Sequence, residues 1–130
     1  MEEKDFKEKK QKANEFGDFA EELACQEYIK NGYTILERNW RLGKTEIDII
    51  ARKDDLIILI EVKARSGKDE DAISAVTSDK RRRMVRAADS YIKKQIGSYD
   101  YRFDIVACTG NIKNYDLDII EDAFLAADLF

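Results

Sequence analysis

The chain has 130 residues, 44% hydrophobic and 38% charged, with 27 acidic against 23 basic side chains and a net charge of −4. That length suits one domain with a single core, and a sequence pI near 5.0 argues against coating nucleic acid by bulk charge, although a local basic patch still sets its own field. There is no histidine, so His-based triads, His-ligated metals and a His general base are excluded, and chemistry falls to carboxylates, Lys, Arg, Tyr and hydroxyls.

The opening "MEEKDFKEKKQK" is charged throughout with no apolar segment behind it, unlike a secretory signal. Residues 1–13 are expected to be a flexible or partly helical lead-in, and residues 14–130 a single domain. From Phe16 to about Asn31 the residues Phe16, Phe19, Ala20, Leu23 and Ala24 recur at helical spacing. "NGY" ends that helix, with Gly32 suited to the left-handed position past its end. "YTILERNW" reads as a first strand and "RLGK" as a turn. A hairpin follows, with strands at about Glu46–Arg52 and Leu56–Arg65 around Asp54-Asp55. "SGKDEDA" is a polar loop.

A second helix is predicted from Ser78 to Ile96, with Met84, Val85, Ala88, Tyr91, Ile92 and Ile96 on one stripe and Gly97 beyond. "YRFDIVAC" is a fourth strand and "YDLDII" a short fifth. "EDAFLAADLF" reads as a final helical turn or two packed back on the body. The order αβββαβ, followed by the fifth strand and last turn, implies a mixed sheet with helices on its faces. Cys25 and Cys108 form no metal or redox spacing and fit a reducing cytosol. No apolar run approaches the roughly 20 residues of a membrane span, so a soluble, cytoplasmic protein is expected.

The hairpin carries the chemistry. Alternation puts Ile47, Ile49 and Ala51 on one face with Leu56, Ile58, Ile60 and Val62 of the partner strand. With a two-residue turn at Asp54-Asp55, paired residue numbers sum to 109. Ile47 then meets Val62, Asp48 meets Glu61 and Glu46 meets Lys63. Like charges directly opposed destabilise a sheet. Asp48 and Glu61 could share a proton, with one pKa raised, or share a hard cation such as Mg²⁺. They could also be paired with Lys63, Lys44 or Arg65 on a solvated face, though a strand buried on both faces seldom carries idle charges.

Asp48, twelve intervening residues, then Glu61-Val62-Lys63 resembles the signature of the PD-(D/E)XK nuclease superfamily. Together with "GDFAEELA", "GYTILERNWR", "EIDIIA", "IEVKAR", "AVTSDK", "RFDIVACTGN" and "EDAF", the chain resembles the YraN-like family of small bacterial predicted endonucleases. That family is related to Holliday junction resolvases. The signature proline is absent, with Ile47 in its place, and Thr45 stands where a glycine is common.

The resemblance implies a restriction-endonuclease-like α/β fold and a divalent-metal-dependent endonuclease acting on DNA, with branched or non-standard structures as candidate substrates. It implies Mg²⁺ or Mn²⁺ held by Asp48, Glu61 and the Val62 carbonyl. Lys63 would orient the attacking water or neutralise phosphate, as a compact point charge can. Glu21, four residues after Gly17 on the first helix, would be a further catalytic carboxylate. Glu46 has two readings, an accessory at the metal site or a salt-bridge partner of Lys63.

"SDKRRRMVR" sets Lys80, Arg81, Arg82, Arg83 and Arg86 in the first turns of the second helix, against the macrodipole, where an anion such as phosphate is favoured. Arg81 is expected to point toward the site, and Lys80 occupies the family's lysine position. Lys80, Arg81, Arg41 and Arg65 are the expected nucleic-acid contacts. Arg82 and Arg83 are expected to be solvated, Trp40 to pack at the core or its rim, and Arg102 with Asp104 to form a structural ion pair. A nucleic-acid-binding or adaptor protein that keeps the fold without catalysis is the alternative, and a homodimer is left open.

Overall fold

The structure is a computed structural model that describes residues 2–67 and 72–130. The most apolar segments fix the rest of the fold. β2 (Thr45–Lys53) and β3 (Leu56–Arg65) pair antiparallel around Asp54-Asp55, with Ile49 opposite Ile60, Ile50 opposite Leu59, Ala51 opposite Ile58, Arg52 opposite Ile57 and Lys53 opposite Leu56. That is the register the isoleucine pattern predicts, since a one-residue slip would send each apolar side chain to the wrong face.

Around this hairpin the sheet grows on both sides. β1 (Thr34–Leu42) pairs antiparallel with β2. β4 (Asp100–Asn111) runs parallel to β3, and β5 (Asn114–Ile120) returns antiparallel beside β4. The order is β1-β2-β3-β4-β5 in one five-stranded mixed sheet. A parallel β3–β4 pair needs a crossover, supplied by the short helix α2 (Ala72–Ala75) and by α3 (Ser78–Lys93). α1 (Glu2–Lys30) precedes the sheet, and a 3-10 turn, Ala126–Asp128, lies near the C-terminus. The result is a single α/β domain of the restriction-endonuclease-like type expected from the sequence.

Each face of the sheet carries one helix. Ala24, Cys25 and Tyr28 of α1 pack on Ile49, Ala51, Ile58 and Ile60, and Phe16 and Ala20 on Cys108. Met84, Ala87, Ala88 and Tyr91 of α3 pack on Ile50, Ile57, Leu59, Phe103 and Ile105. Burying a large aliphatic side chain contributes about 1.5–3 kcal/mol, so the fully buried isoleucines of β2 and β3 dominate stability. Both cysteines are free and buried. No helix among the described residues is long and apolar enough to cross a membrane.

Several expectations need correction. α1 starts at Glu2, far ahead of the apolar stripe at Phe16, in a run rich in the good helix formers Glu, Lys and Gln. α3 ends at Lys93, so Ile96 lies outside the helix and is 97% exposed rather than part of the stripe. The loop expected over residues 66–72 lies largely outside the described residues.

Ile47 joins Ile50 and Leu59 beneath α3 instead of Ile49 beneath α1. Alternation along β2 therefore breaks around Asp48. The neighbouring strand changes face with it: Asn39, between the partners of Ile49 and Ile47, has φ 52°, a left-handed conformation that asparagine tolerates better than most residues. Trp40, opposite Ile47, packs edge-on against Tyr91 of α3, with ring centroids 5.2 Å apart.

The pair Arg102–Asp104 is structural, as expected. Asp104 is fully buried and accepts from Arg102 Nε and Nη2 at 2.8 and 2.9 Å, from the Tyr28 hydroxyl at 2.6 Å and from the Asp122 amide at 3.0 Å. One carboxylate thereby ties β4 to α1 and to the C-terminal segment.

Candidate metal centre at the fork of the sheet

Ladder pairing between β2 and β3 stops at Ile49–Ile60, while β2 continues against β1 to Thr45 and β3 continues against β4 to Arg65. The sheet thus forks. In the fork, the Val62 amide donates to Asp48 Oδ2 at 2.8 Å, so a side chain replaces the backbone acceptor that a continued ladder would supply. This exchange ends the pairing and explains why Ile47 does not meet Val62.

Glu61 stands next to this cap. It is only 6% exposed. Lys63 Nζ lies 3.6 Å from its Oε1 and Lys80 Nζ 3.9 Å from its Oε2, both beyond hydrogen-bond length. Oε2 is buried with no hydrogen-bond partner. Burial pushes the Glu61 carboxyl up to about 7, and the Asp48 charge adds to the rise against the two lysines. Burial raises the Asp48 carboxyl as well, and Glu46 adds to this, whereas the Val62 amide, Lys80 and Lys63 oppose it. Glu21 of α1 completes the acidic side. Partial burial and then Asp48 push it up to about 7, with Arg38 opposing.

The lysines enter from different elements. Lys63 follows Glu61 by two residues on β3, hence on the same face. Lys80 comes from α3, where the Thr77 side chain caps the helix by accepting from the Lys80 amide. Its Nζ donates to the Glu46 backbone carbonyl at 3.1 Å. Arg81 does not point toward the site. Its Nε donates to the Val76 carbonyl at 2.8 Å and its Nη2 to the Ile73 carbonyl, and the guanidinium lies 5.2 Å from the Phe124 ring centroid. The inward position is Lys80, one turn before Met84 and two before Ala87 on the buried stripe. That phase is a signal the sequence contained.

Glu46 does not pair with Lys63. The forked ladder leaves it opposite Arg41 of β1, and the two side chains form a 2.7 Å ion pair. Arg65 is half-buried at the end of β3 opposite Thr109. Arg82 is not merely solvated, because its Nε donates to the Leu129 carbonyl at 3.0 Å and it pairs with Asp79 at 3.1 Å.

Among the described residues no three acidic or cysteine side chains are already drawn into a metal cage. The donor set nonetheless fits a hard divalent cation. Half-buried Asp48 stands beside buried Glu61, one Glu61 oxygen has no hydrogen-bond partner, and the candidate donor atoms are all oxygen.

These carboxyls set the pH response of the metal-free protein. A carboxyl raised from 4.5 to about 7 on folding is protonated in the native state where the unfolded chain is ionised. Its stabilising contribution is full below the unfolded value and is lost as pH rises through the folded one. Stability in EDTA should therefore fall between about pH 4.5 and 7, and Glu61→Gln should flatten that slope in denaturant titrations. An unchanged slope would mean that Glu61 ionises normally.

The model of the uncharacterised protein family UPF0102 matches residues 20–108. A UPF0102 protein of Phocaeicola vulgatus is 41% identical over 115 residues, covering 85% of this chain and 93% of that protein. A UPF0102 protein of Flavobacterium psychrophilum is 36% identical over 115 residues, with 85% and 94% covered. One from Clostridium perfringens is 39% identical over 112 residues, with 83% and 92% covered.

Proposed function

This chain belongs to the uncharacterised protein family UPF0102, and from its fork we propose that it is a divalent-metal-dependent endonuclease hydrolysing phosphodiester bonds in DNA, with branched or non-standard structures as the expected substrates. The observation that carries the reading is the buried Glu61 oxygen without a hydrogen-bond partner, beside Asp48. A buried carboxylate short of hydrogen bonds is costly, and a scaffold alone gains nothing from setting a second carboxylate beside it. Mg²⁺ or Mn²⁺ held by Asp48, Glu61 and the Val62 carbonyl, with Glu21 as a further carboxylate, would supply Lewis acidity toward phosphate and a more acidic water.

The chain's own side chains do the remaining work. Lys63 holds a point charge 3.6 Å from Glu61, where it orients the nucleophile or neutralises phosphate. Lys80 brings a second ammonium from α3 into the same space. Arg41, 65% exposed at its side chain, and Arg65 extend positive charge along the approach for the DNA backbone. Arg81 supports that surface indirectly by fixing the turn before α3. The bacterial cytoplasm, where the DNA is, is the proposed location, and a second copy of the chain is compatible with a two-fold substrate.

The test is cleavage of a panel of branched, single-stranded and duplex DNA by the purified full chain with Mg²⁺ or Mn²⁺. Activity on at least one substrate, absent in EDTA and in Asp48→Asn, is expected. DNA binding without cleavage under all these conditions would replace this reading with a binding module of the same fold.

A further inference from the structure

Arg41 and Glu46 are the remaining charged pair at the mouth of the fork. They are opposite each other in the β1–β2 register, and their side chains meet at 2.7 Å. The two differ in surroundings. The Arg41 side chain is 65% exposed, while that of Glu46 is 28% exposed. The Glu46 charge also reaches inward, since it raises the carboxyls of both Asp48 and Glu21. Beneath it, Lys80 Nζ holds the Glu46 backbone carbonyl at 3.1 Å. The backbone is therefore pinned from α3, which leaves movement of the carboxylate to the side chain. Buried alongside, Glu61 Oε2 has no hydrogen-bond partner, with Lys80 Nζ 3.9 Å away.

We propose that Arg41 and Glu46 form an exchangeable latch, in which a backbone phosphate of the substrate takes the Arg41 guanidinium and frees the Glu46 carboxylate to join Asp48 around the cation. The proposal rests on the reading of the fork as a cation site. An ion pair this exposed on one side is weak and screened by solvent, so a phosphate can compete for it. Guanidinium suits that exchange because its planar fork matches phosphate as well as carboxylate. Substrate binding and cation binding then favour each other through one shared carboxylate, and such coupling must be reciprocal.

Mn²⁺ calorimetry on the intact chain and on Arg41→Gln, Glu46→Gln and the double variant tests the latch without reference to activity. Arg41→Gln should bind Mn²⁺ about three- to tenfold more tightly, because Glu46 is already free, and Glu46→Gln more weakly by a similar factor. In the Glu46→Gln background the Arg41 change should have no further effect. If Arg41→Gln tightens binding equally in both backgrounds, its charge acts only through space and the latch is overturned. The same holds if Arg41→Gln has no effect.

A second arm reads the DNA side. In EDTA, Glu46→Gln should bind a DNA duplex several-fold more tightly by fluorescence anisotropy, and the gain should vanish in the double variant. Survival of the gain in the double variant would also overturn the latch. Failure of the intact chain to bind Mn²⁺ at all would instead remove the cation site on which the proposal stands, so the two failures are told apart.

Discussion

Asp48→Asn and Glu61→Gln should each remove most of the stabilisation that Mg²⁺ or Mn²⁺ confers on this protein, while leaving the metal-free form as stable as the parent or more so. A ligand bound only by the native state adds RT ln(1 + [L]/Kd), about 2.7 kcal/mol at a hundredfold excess over Kd. In a domain of this size that is a shift of several degrees in a melting experiment.

The metal-free half of the prediction follows from the surroundings of the two groups. Both carboxyls are raised by burial, each feels further negative charge, and one Glu61 oxygen lacks a hydrogen-bond partner. Replacing either acid with its amide keeps the shape and removes a charge that burial already disfavours. Because the two act on one cation, the double variant should lose little more than either single one. A parent protein with no metal-dependent shift at millimolar Mn²⁺ and no calorimetric heat would end the nuclease reading.

The opposite outcome is expected at the other buried acid. Asp104→Ala should destabilise the protein by about 3–5 kcal/mol, because removing one partner of a buried pair leaves the other charge uncompensated. Arg102, only 17% exposed at its side chain, loses its two short contacts. The Tyr28 hydroxyl and the Asp122 amide lose an acceptor as well. Since whole domains are stable by only about 5–15 kcal/mol, the variant could fail to fold. Tyr28→Phe then gives the milder measurement, with a loss of about 0.5–1.5 kcal/mol for one hydrogen bond. Urea titration reads both. A loss under 1 kcal/mol for a folded Asp104→Ala would show that Arg102 finds water or another partner.

These variants separate two kinds of buried carboxylate that look alike in sequence. Asp104 is surrounded by donors and exists for the fold. Asp48 and Glu61 have fewer partners than their burial demands, and the fold tolerates them at a cost. A change that harms stability at the first and spares it at the second is the signature of a functional site rather than a salt bridge.

Much of the architecture was legible in the chain. Helical spacing from Phe16 onward marks the buried face of α1, and the apolar runs of β2 and β3 set their register over all five ladder pairs. Such patterns are readable because they are local. A period of two or of 3.6 residues needs no knowledge of the partner. Glu61 and its lysine were legible for the same reason, since Glu61 and Lys63 lie two apart on one strand and share a face, whereas the ladder ends before the expected Asp48–Glu61 pair.

Tertiary structure decided what the carboxylates meet. The fork opens because β1 holds the end of β2 while β4 holds the end of β3, and the Val62 amide then turns to the Asp48 side chain. No pattern within the hairpin contains that competition, so alternation wrongly extended the ladder to Asp48 opposite Glu61, Ile47 opposite Val62 and Glu46 opposite Lys63. The same limit applies to α3. Periodicity leaves Lys80 and Arg81 both near the inward stripe, but the carbonyls of Ile73 and Val76 capture Arg81. Lys80 is left to face Glu61. Sequence determined which groups could reach the site, and the competition for backbone partners across distant segments determined which of them did.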